Sequence, residues 1–288
     1  MSTRPRRSVL YMPGANQRAL EKARTLAADA LILDLEDAVA PEAKELAREQ
    51  VSAAVRAGGY GRKQLIVRAN DLDTPWGAAD LKAISELAID AVLLPKVDSA
   101  TQVEAAREVL GRDELPIWIM VETPRGVLDL DRTVAAAKSI EALVMGTSDL
   151  VKELRARHTA SRHEVVAALS HCVLVARAHG LTALDGVHLD FRNEATFTAA
   201  CSQARDLGFD GKTLIHPSQI EIANAQFGPS DEDLAHARRV IEAAAEAQRL
   251  GKGVTVLDGK LIENLHVAEA ERLLAYAEAL AAANREST

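Results

Sequence analysis

The chain has 288 residues, 48% hydrophobic and 26% charged, with aromatics at only 3%. That length suits a single α/β barrel, and the abundance of Ala, Val, Leu and Ile favours aliphatic strands covered by Ala-rich helices. A net charge of −8 argues against nucleic acid as the main partner, because phosphate binding needs a basic face, but it leaves room for a locally basic pocket.

The opening stretch, MSTRPRRSVLYMPG, is basic but has no apolar run long enough for a signal peptide. No run anywhere is long enough to cross a membrane, so a soluble cytoplasmic protein is expected. Short apolar runs then recur: SVLYM (8–12), ALILDL (30–35), QLIVRA (64–69), AVLLP (91–95), IWIMV (117–121), ALVMG (142–146), LTALDGV (181–187) and KTLIH (212–216). They are near-continuous rather than alternating, as parallel strands buried on both faces require. Between them lie stretches such as NQRALEKARTLAADA, with apolar residues three and four apart, which predict helices. Eight strands alternating with helices predict a closed (β/α)8 TIM barrel. An open doubly wound sheet is the structural rival, but neither GxGxxG nor GxxxxGK[ST] is present to give it a nucleotide site. Cys172 and Cys201 fall in apolar helical stretches without metal-type spacing and read as reduced core thiols.

The barrel is assigned to residues 1–228. The remainder, 229–288, is a helix–hairpin–helix extension expected to pack on the barrel or on a neighbouring subunit. PSDEDLAHARRVIEAAAEAQRLG predicts a helix capped by Ser230 or Asp231. GKGVTVLDGKLIENL predicts a hairpin turning at Asp258-Gly259, and HVAEAERLLAYAEALAAANR a final helix.

Barrel enzymes carry their chemistry at the carboxyl ends of the strands. Here those ends read Pro13-Gly14, Asp34-Leu35-Glu36-Asp37, Arg68, Lys96, Glu122, Asp149, Asp185 and His216. Carboxylates and cations at nearly every strand point to a site rather than to solubility. Glu122 and Asp149 follow consecutive strands and can face one point. Two carboxylates without a His or Cys partner suit Mg²⁺. Asp149 or Ser148 could instead cap the next helix. Glu36 and Asp37 could orient metal-bound water or simply mark an acidic helix entry. Arg68 could stabilise a developing oxyanion, pair with Glu36 or Asp37, or do both. Lys96 reads as electrostatic support rather than a Schiff-base lysine, since carboxylate neighbours keep it protonated. His216 reads as a packed histidine at a strand end.

The motifs RSVLYMPG, LDLEDAV, IVRAN, LLPKV, VETPRGV, GTSDL and GFDGKTLIHPSQ, in that order, resemble the citrate lyase beta-subunit-like proteins of the HpcH/HpaI aldolase superfamily. The resemblance runs from about residue 7 into the C-terminal helix. It implies a (β/α)8 barrel, often in homotrimers or multiples, that binds Mg²⁺ and a coenzyme A thioester. By that likeness Glu122 and Asp149 hold the metal, Arg68 contacts substrate oxygens, and Glu36 and Asp37 hold metal-bound water. The backbone of Gly146, Thr147 and Ser148 receives a 2-oxo acid carboxylate, and Arg7, Arg18 and Lys22 meet the phosphates of coenzyme A. Relatives often carry Met-Ile-Asp in the C-terminal hairpin, the Asp reaching a neighbour's active site as acid or base. Here the stretch is KLIEN, with Glu263 in that place.

The implied activity is Mg²⁺-dependent cleavage or formation of a 3-hydroxy-3-carboxyacyl thioester such as a malyl-, citramalyl- or citryl-CoA. Three alternatives stand beside this carbon–carbon lyase. One is a citrate lyase beta subunit acting on an acyl-carrier protein. Another is a malate synthase-like thioester hydrolase. The third is a non-catalytic acyl-CoA sensor.

Overall fold

The computed structural model describes residues 4–251 and 253–285. These form two compact units, Arg6–Asn224 and the chain from Ala225 onward.

The first unit is a closed barrel in which eight parallel strands pair in chain order and β1 closes on β8. The strands are β1 Ser8–Pro13, β2 Ala30–Asp34, β3 Gln64–Arg68, β4 Ala91–Leu94, β5 Ile117–Val121, β6 Ile140–Met145, β7 Thr182–Asp185 and β8 Gly211–Leu214. Each falls within or overlaps one of the apolar runs. Their continuity has a simple cause: β2 and β5, for example, are buried at every position, one face against the barrel interior and the other against helices. Val9, Ala30, Ile32, Ile66, Leu93, Trp118, Met120, Val144 and Leu184 pack together as the interior core.

The amino-terminal end of the barrel is plugged by one polar network. Arg6 donates from Nε to Gln64 Oε1 at 2.7 Å, from Nη1 to Thr182 Oγ1 at 2.6 Å and from Nη2 to Glu141 Oε1 at 2.5 Å. Its guanidinium lies 5.0 Å from the centre of the Trp118 ring, whose Nε1–H donates to Glu141 Oε2 at 2.9 Å. Gln64 and Thr182 are the first residues of β3 and β7, so this plug lies opposite the strand ends where a site is expected. Only 3% of Arg6 is exposed, and its charge is tolerated there because every nitrogen has a partner.

The second unit contains helix α11 (Asp231–Arg249), a hairpin of β9 (Thr255–Leu257) and β10 (Lys260–Ile262), and helix α12 (Asn264–Arg285). Ser230, not Asp231, is the N-cap of α11, accepting from the Asp233 amide. The hairpin turns at Asp258 and Gly259, both with positive φ (52° and 77°), the pattern of a tight two-residue turn. Ala237, Val240, Ile262 and Ala270 form its core. Among the described residues no helix is long and apolar enough to cross a membrane.

Candidate active site

The site grows from the register of β2 against β3, which places Asp34 beside Arg68. Ala30 and Ile32 face the barrel interior, so strand alternation turns Asp34 the same way. Arg68 meets both Asp34 oxygens: Nε donates to Oδ1 at 2.7 Å and Nη2 to Oδ2 at 2.6 Å. Its remaining nitrogen, Nη1, lies 2.7 Å from Glu36 Oε2 and 3.7 Å from Asp37 Oδ2. The guanidinium sits over the Tyr11 ring, 4.8 Å from its centre, and Nη1 reaches Met120 Sδ at 3.4 Å. Burial works against the charge on Arg68, but Asp34, Tyr11 and Glu36 outweigh it and hold the guanidinium firmly protonated.

The β2 loop that carries Glu36 is tied down from α2 (Lys44–Ala57). Lys44 Nζ donates to the Leu35 and Glu36 carbonyls, both at 2.8 Å, and to Asn70 Oδ1 at 2.6 Å. Glu36 is buried, and burial raises its pKa despite Arg68 and Lys96. Asp37, by contrast, is exposed.

Lys96 follows β4 with φ of 50°, a left-handed conformation that costs a non-glycine residue about 1–2 kcal/mol. Its Nζ donates to Glu36 Oε1 at 2.6 Å, and its backbone N–H donates to Glu122 Oε1 at 2.8 Å. Burial lowers the Lys96 pKa, but Glu36 and Glu122 override it, so the amine is protonated and lacks the lone pair that a Schiff base needs.

Glu122, directly after β5, is only 1% exposed. Burial, followed by the charge of Glu36, pushes its pKa up to about 7. Glu122 Oε2 lies against Gly146, where any side chain would overlap it. Gly146 is the N-cap of α7 (Thr147–Glu153), so Asp149 stands in the first helical turn and neither it nor Ser148 caps the helix.

Tyr11, Asp34, Asp37, Arg68, Met120, Glu122, Met145, Gly146, Thr147, Ser148 and Asp149 all line one open cavity of about 260 Å³ at the carboxyl ends of the strands. Among the described residues no group of three or more His, Cys, Asp or Glu is arranged around a point. Glu122 and Asp149 are the candidate donors, both lining the cavity. A buried carboxylate with its pKa raised to about 7 is short of positive charge, and a second carboxylate lines the same cavity. This oxygen-only pair fits a hard divalent cation that keeps water or substrate on its other positions.

Other predicted residues lie elsewhere. Arg7 precedes β1, at the plugged end of the barrel, and does not join the cavity. Its backbone N–H, Nε and Nη2 all donate to Asp29, at 2.8, 2.9 and 2.8 Å. This corrects its assignment to coenzyme A phosphates: Asp29 already engages it, at the wrong end. Arg18 and Lys22 are exposed on α1 (Gln17–Lys22), which follows the carboxyl end of β1. Glu263 belongs to the second unit, exposed directly after β10, its N–H donating to His266 Nδ1 at 3.0 Å.

Asp185 ends β7 but faces away from the cavity, because Leu184 takes the interior position. It is fully buried, accepts from Lys212 Nζ at 2.5 Å and pairs with Arg162. His216 stacks on Phe191, ring centres 4.6 Å apart, with Nδ1 2.8 Å from Ser218 Oγ. Cys172 and Cys201 are buried free thiols.

Asp34 was not among the residues assigned a role from sequence. The signal was present: ALILD puts Asp34 two residues beyond Ile32, on the same face of the strand.

The family model described as HpcH/HpaI aldolase/citrate lyase matches residues 7–217. The (3S)-malyl-CoA thioesterase of Cereibacter sphaeroides (strain KD131) is 51% identical over 278 residues, 96% of each chain. The citrate lyase subunit beta of Escherichia coli (strain K12) is 36% identical over 285 residues, covering 96% of this chain and 94% of its own. Among solved structures, CitE from Mycobacterium tuberculosis in complex with magnesium, acetoacetate and coenzyme A superposes with a TM-score of 0.80 at 32% identity, covering 94% of this chain and 97% of its own.

Proposed function

The chain belongs to the HpcH/HpaI aldolase/citrate lyase family, and from that premise we propose that it hydrolyses a malyl-type coenzyme A thioester with the help of a divalent cation. The observation that carries this reading is the Arg68 guanidinium, locked by Asp34 on the wall of a cavity that Glu122 and Asp149 also line. The choice of hydrolysis follows the thioesterase relative, which is more similar to this chain than the citrate lyase subunit is.

Glu122 and Asp149 would hold Mg²⁺, the ion bound in the CitE structure. When bound, the ion supplies Lewis-acid polarisation of substrate oxygens. Arg68 faces the thioester carbonyl oxygen and stabilises the negative charge that gathers there. The backbone N–H groups of Thr147 and Ser148, in the first turn of α7, lack intrahelical partners and receive the substrate carboxylate. Glu36 or Asp37 takes a proton from the attacking water. The water oxygen bonds to the thioester carbon, the C–S bond breaks, and the thiolate leaves and is protonated. Arg18 and Lys22, exposed on the helix after the carboxyl end of β1, would meet the phosphates of coenzyme A. Glu263 of a neighbouring subunit in a homo-oligomer would serve as a further acid or base.

The lyase is the second reading, favoured by the 36% identity to the citrate lyase subunit, whose thioester could also ride on an acyl-carrier protein. It uses the same groups. A carboxylate takes the hydroxyl proton, the C–C bond breaks, its electrons pass into a thioester enolate facing Arg68, and an acid then protonates the enolate carbon to give the acyl-CoA.

The test supplies (3S)-malyl-CoA with and without Mg²⁺ and separates the products. Free thiol and malate, formed only with Mg²⁺, are expected. Acetyl-CoA and glyoxylate would establish the lyase instead. No product of either kind, with coenzyme A and Mg²⁺ bound, would overturn both and point to a sensor.

A further inference from the structure

Lys96 does two different things with its two ends. Its backbone N–H holds Glu122 Oε1 at 2.8 Å, leaving Oε2 beside Gly146 on the cavity wall. Its ammonium holds Glu36 Oε1 at 2.6 Å, and Glu36 Oε2 lies 2.7 Å from Arg68. One residue therefore joins the carboxylate after β5 to the acid–cation group on β2 and β3.

The turn around Lys96 is fixed against the next one. The Thr123 hydroxyl donates to Asp98 Oδ1 and accepts from the Gly126 amide, the latter at 2.8 Å. Gly126 packs so closely that a Cβ there would stand 2.6 Å from the Val97 carbonyl oxygen. Within this clamp Lys96 takes its left-handed conformation, φ 50°. A glycine would adopt it freely and would supply the same N–H, so the backbone duty does not require a lysine. The bond to Glu36 requires the side chain, whose charge also attracts the Glu122 carboxylate without a direct bond to it.

We propose that Lys96 is a positioning residue with two separable duties: its backbone aims Glu122 at the cation, and its ammonium presses Glu36 against Arg68. This deepens the function proposed above and rests on it. Lys96 contributes no atom to the reaction; it sets the places of two groups that do.

The test compares wild type with Lys96→Gly and Lys96→Arg. Thermal melts establish that each is folded. Calorimetry measures Mg²⁺ affinity without substrate, and steady-state kinetics give kcat and KM for (3S)-malyl-CoA. At pH 8, above the raised pKa of Glu122, Lys96→Gly keeps the N–H and removes a cation that would repel Mg²⁺, so its Mg²⁺ affinity should not fall, while kcat falls by roughly tenfold or more at little-changed KM. Lys96→Arg should recover most of that loss, because a cation again reaches Glu36.

A Lys96→Gly enzyme with wild-type kcat would overturn the side-chain duty. One with equally damaged Mg²⁺ affinity would overturn the separation. A large rise in KM at unchanged kcat would make Lys96 a substrate contact instead. A wild type that turns over no thioester defeats the functional reading and takes this proposal with it; a working wild type matched by Lys96→Gly defeats this proposal alone.

Discussion

Asp34 and Arg68 are register partners on adjacent parallel strands, and their side chains meet through two parallel hydrogen bonds of 2.7 and 2.6 Å. Neither is free to turn, because the Glu36 and Ala38 amides donate to the same carboxylate at 2.9 and 3.1 Å. The cation is thus aimed by backbone geometry rather than by solvent.

Asp34→Asn removes the charge and one acceptor while keeping the shape. Breaking such a buried pair costs about 3–5 kcal/mol, read as a lower denaturant midpoint. Misplacing Arg68 should lower kcat by roughly 100-fold. An Asp34→Asn enzyme with kcat within about twofold of wild type would remove Arg68 orientation from the mechanism.

As the proposed ligand, Glu122 would make Mg²⁺ binding depend on pH. Its folded pKa, about 7, lies above the ordinary carboxylate value. Without the cation, the folded state holds this proton more tightly than the unfolded chain does. The stability that the group contributes is therefore full below the unfolded pKa, near 4.5, and is lost as pH rises toward 7. With the cation held as proposed, the sign would reverse, because ionised Glu122 would bind Mg²⁺ and the proton would compete. The rise in melting temperature on adding Mg²⁺ should be larger at pH 8 than at pH 6, and Glu122→Gln should abolish the difference. An equal rise at both pH values in wild type would remove Glu122 from the ligand set.

Gly146→Ala tests the same proposed ligand without touching a charge. The new Cβ would overlap Glu122 Oε2 and Cβ, so the carboxylate must move. Mg²⁺ affinity measured by calorimetry should fall by roughly tenfold or more, with the fold intact by circular dichroism. Wild-type affinity would mean that Oε2 is not the ligating atom.

Asp185 carries the opposite expectation, stability without chemistry. Lys212 is 1% exposed, and together with Arg162 it holds the Asp185 pKa below the usual value against the effect of burial. The contribution of Asp185 is present above about pH 4, its unfolded value, and disappears as pH falls through the lower folded value. Asp185→Asn leaves Lys212 without its buried counter-charge and should cost about 3–5 kcal/mol. Once folded and saturated with Mg²⁺, the variant should turn over substrate at the wild-type rate. A selective loss of kcat would place Asp185 in the site after all.

The barrel was legible because its strands are buried on both faces. A run such as IWIMV admits few other readings when seven similar runs accompany it. The residues around the cavity were legible because polar groups at strand ends are conspicuous after apolar runs. What the strand-end rule could not supply was the direction in which each side chain points. Asp34 and Asp185 both close an apolar strand, yet Asp34 shares the face of Ile32 and turns inward, whereas Asp185 follows the inward Leu184 and turns out. Arg7 was misassigned for a related reason: charge alone does not tell the beginning of a strand from its end. Its partner, Asp29, is 22 residues away, and only the β1–β2 pairing brings them together.

The plug formed by Arg6, Glu141 and Trp118 closes the barrel at the end opposite the cavity. On the proposed function, a thioester would enter acyl end first, with its long nucleotide tail trailing outside, and both products would go out the way the substrate came in. The thiol would then depart first and the small acid last. Traffic of this kind would make the acid, rather than coenzyme A, the product that stands in the path of the next substrate.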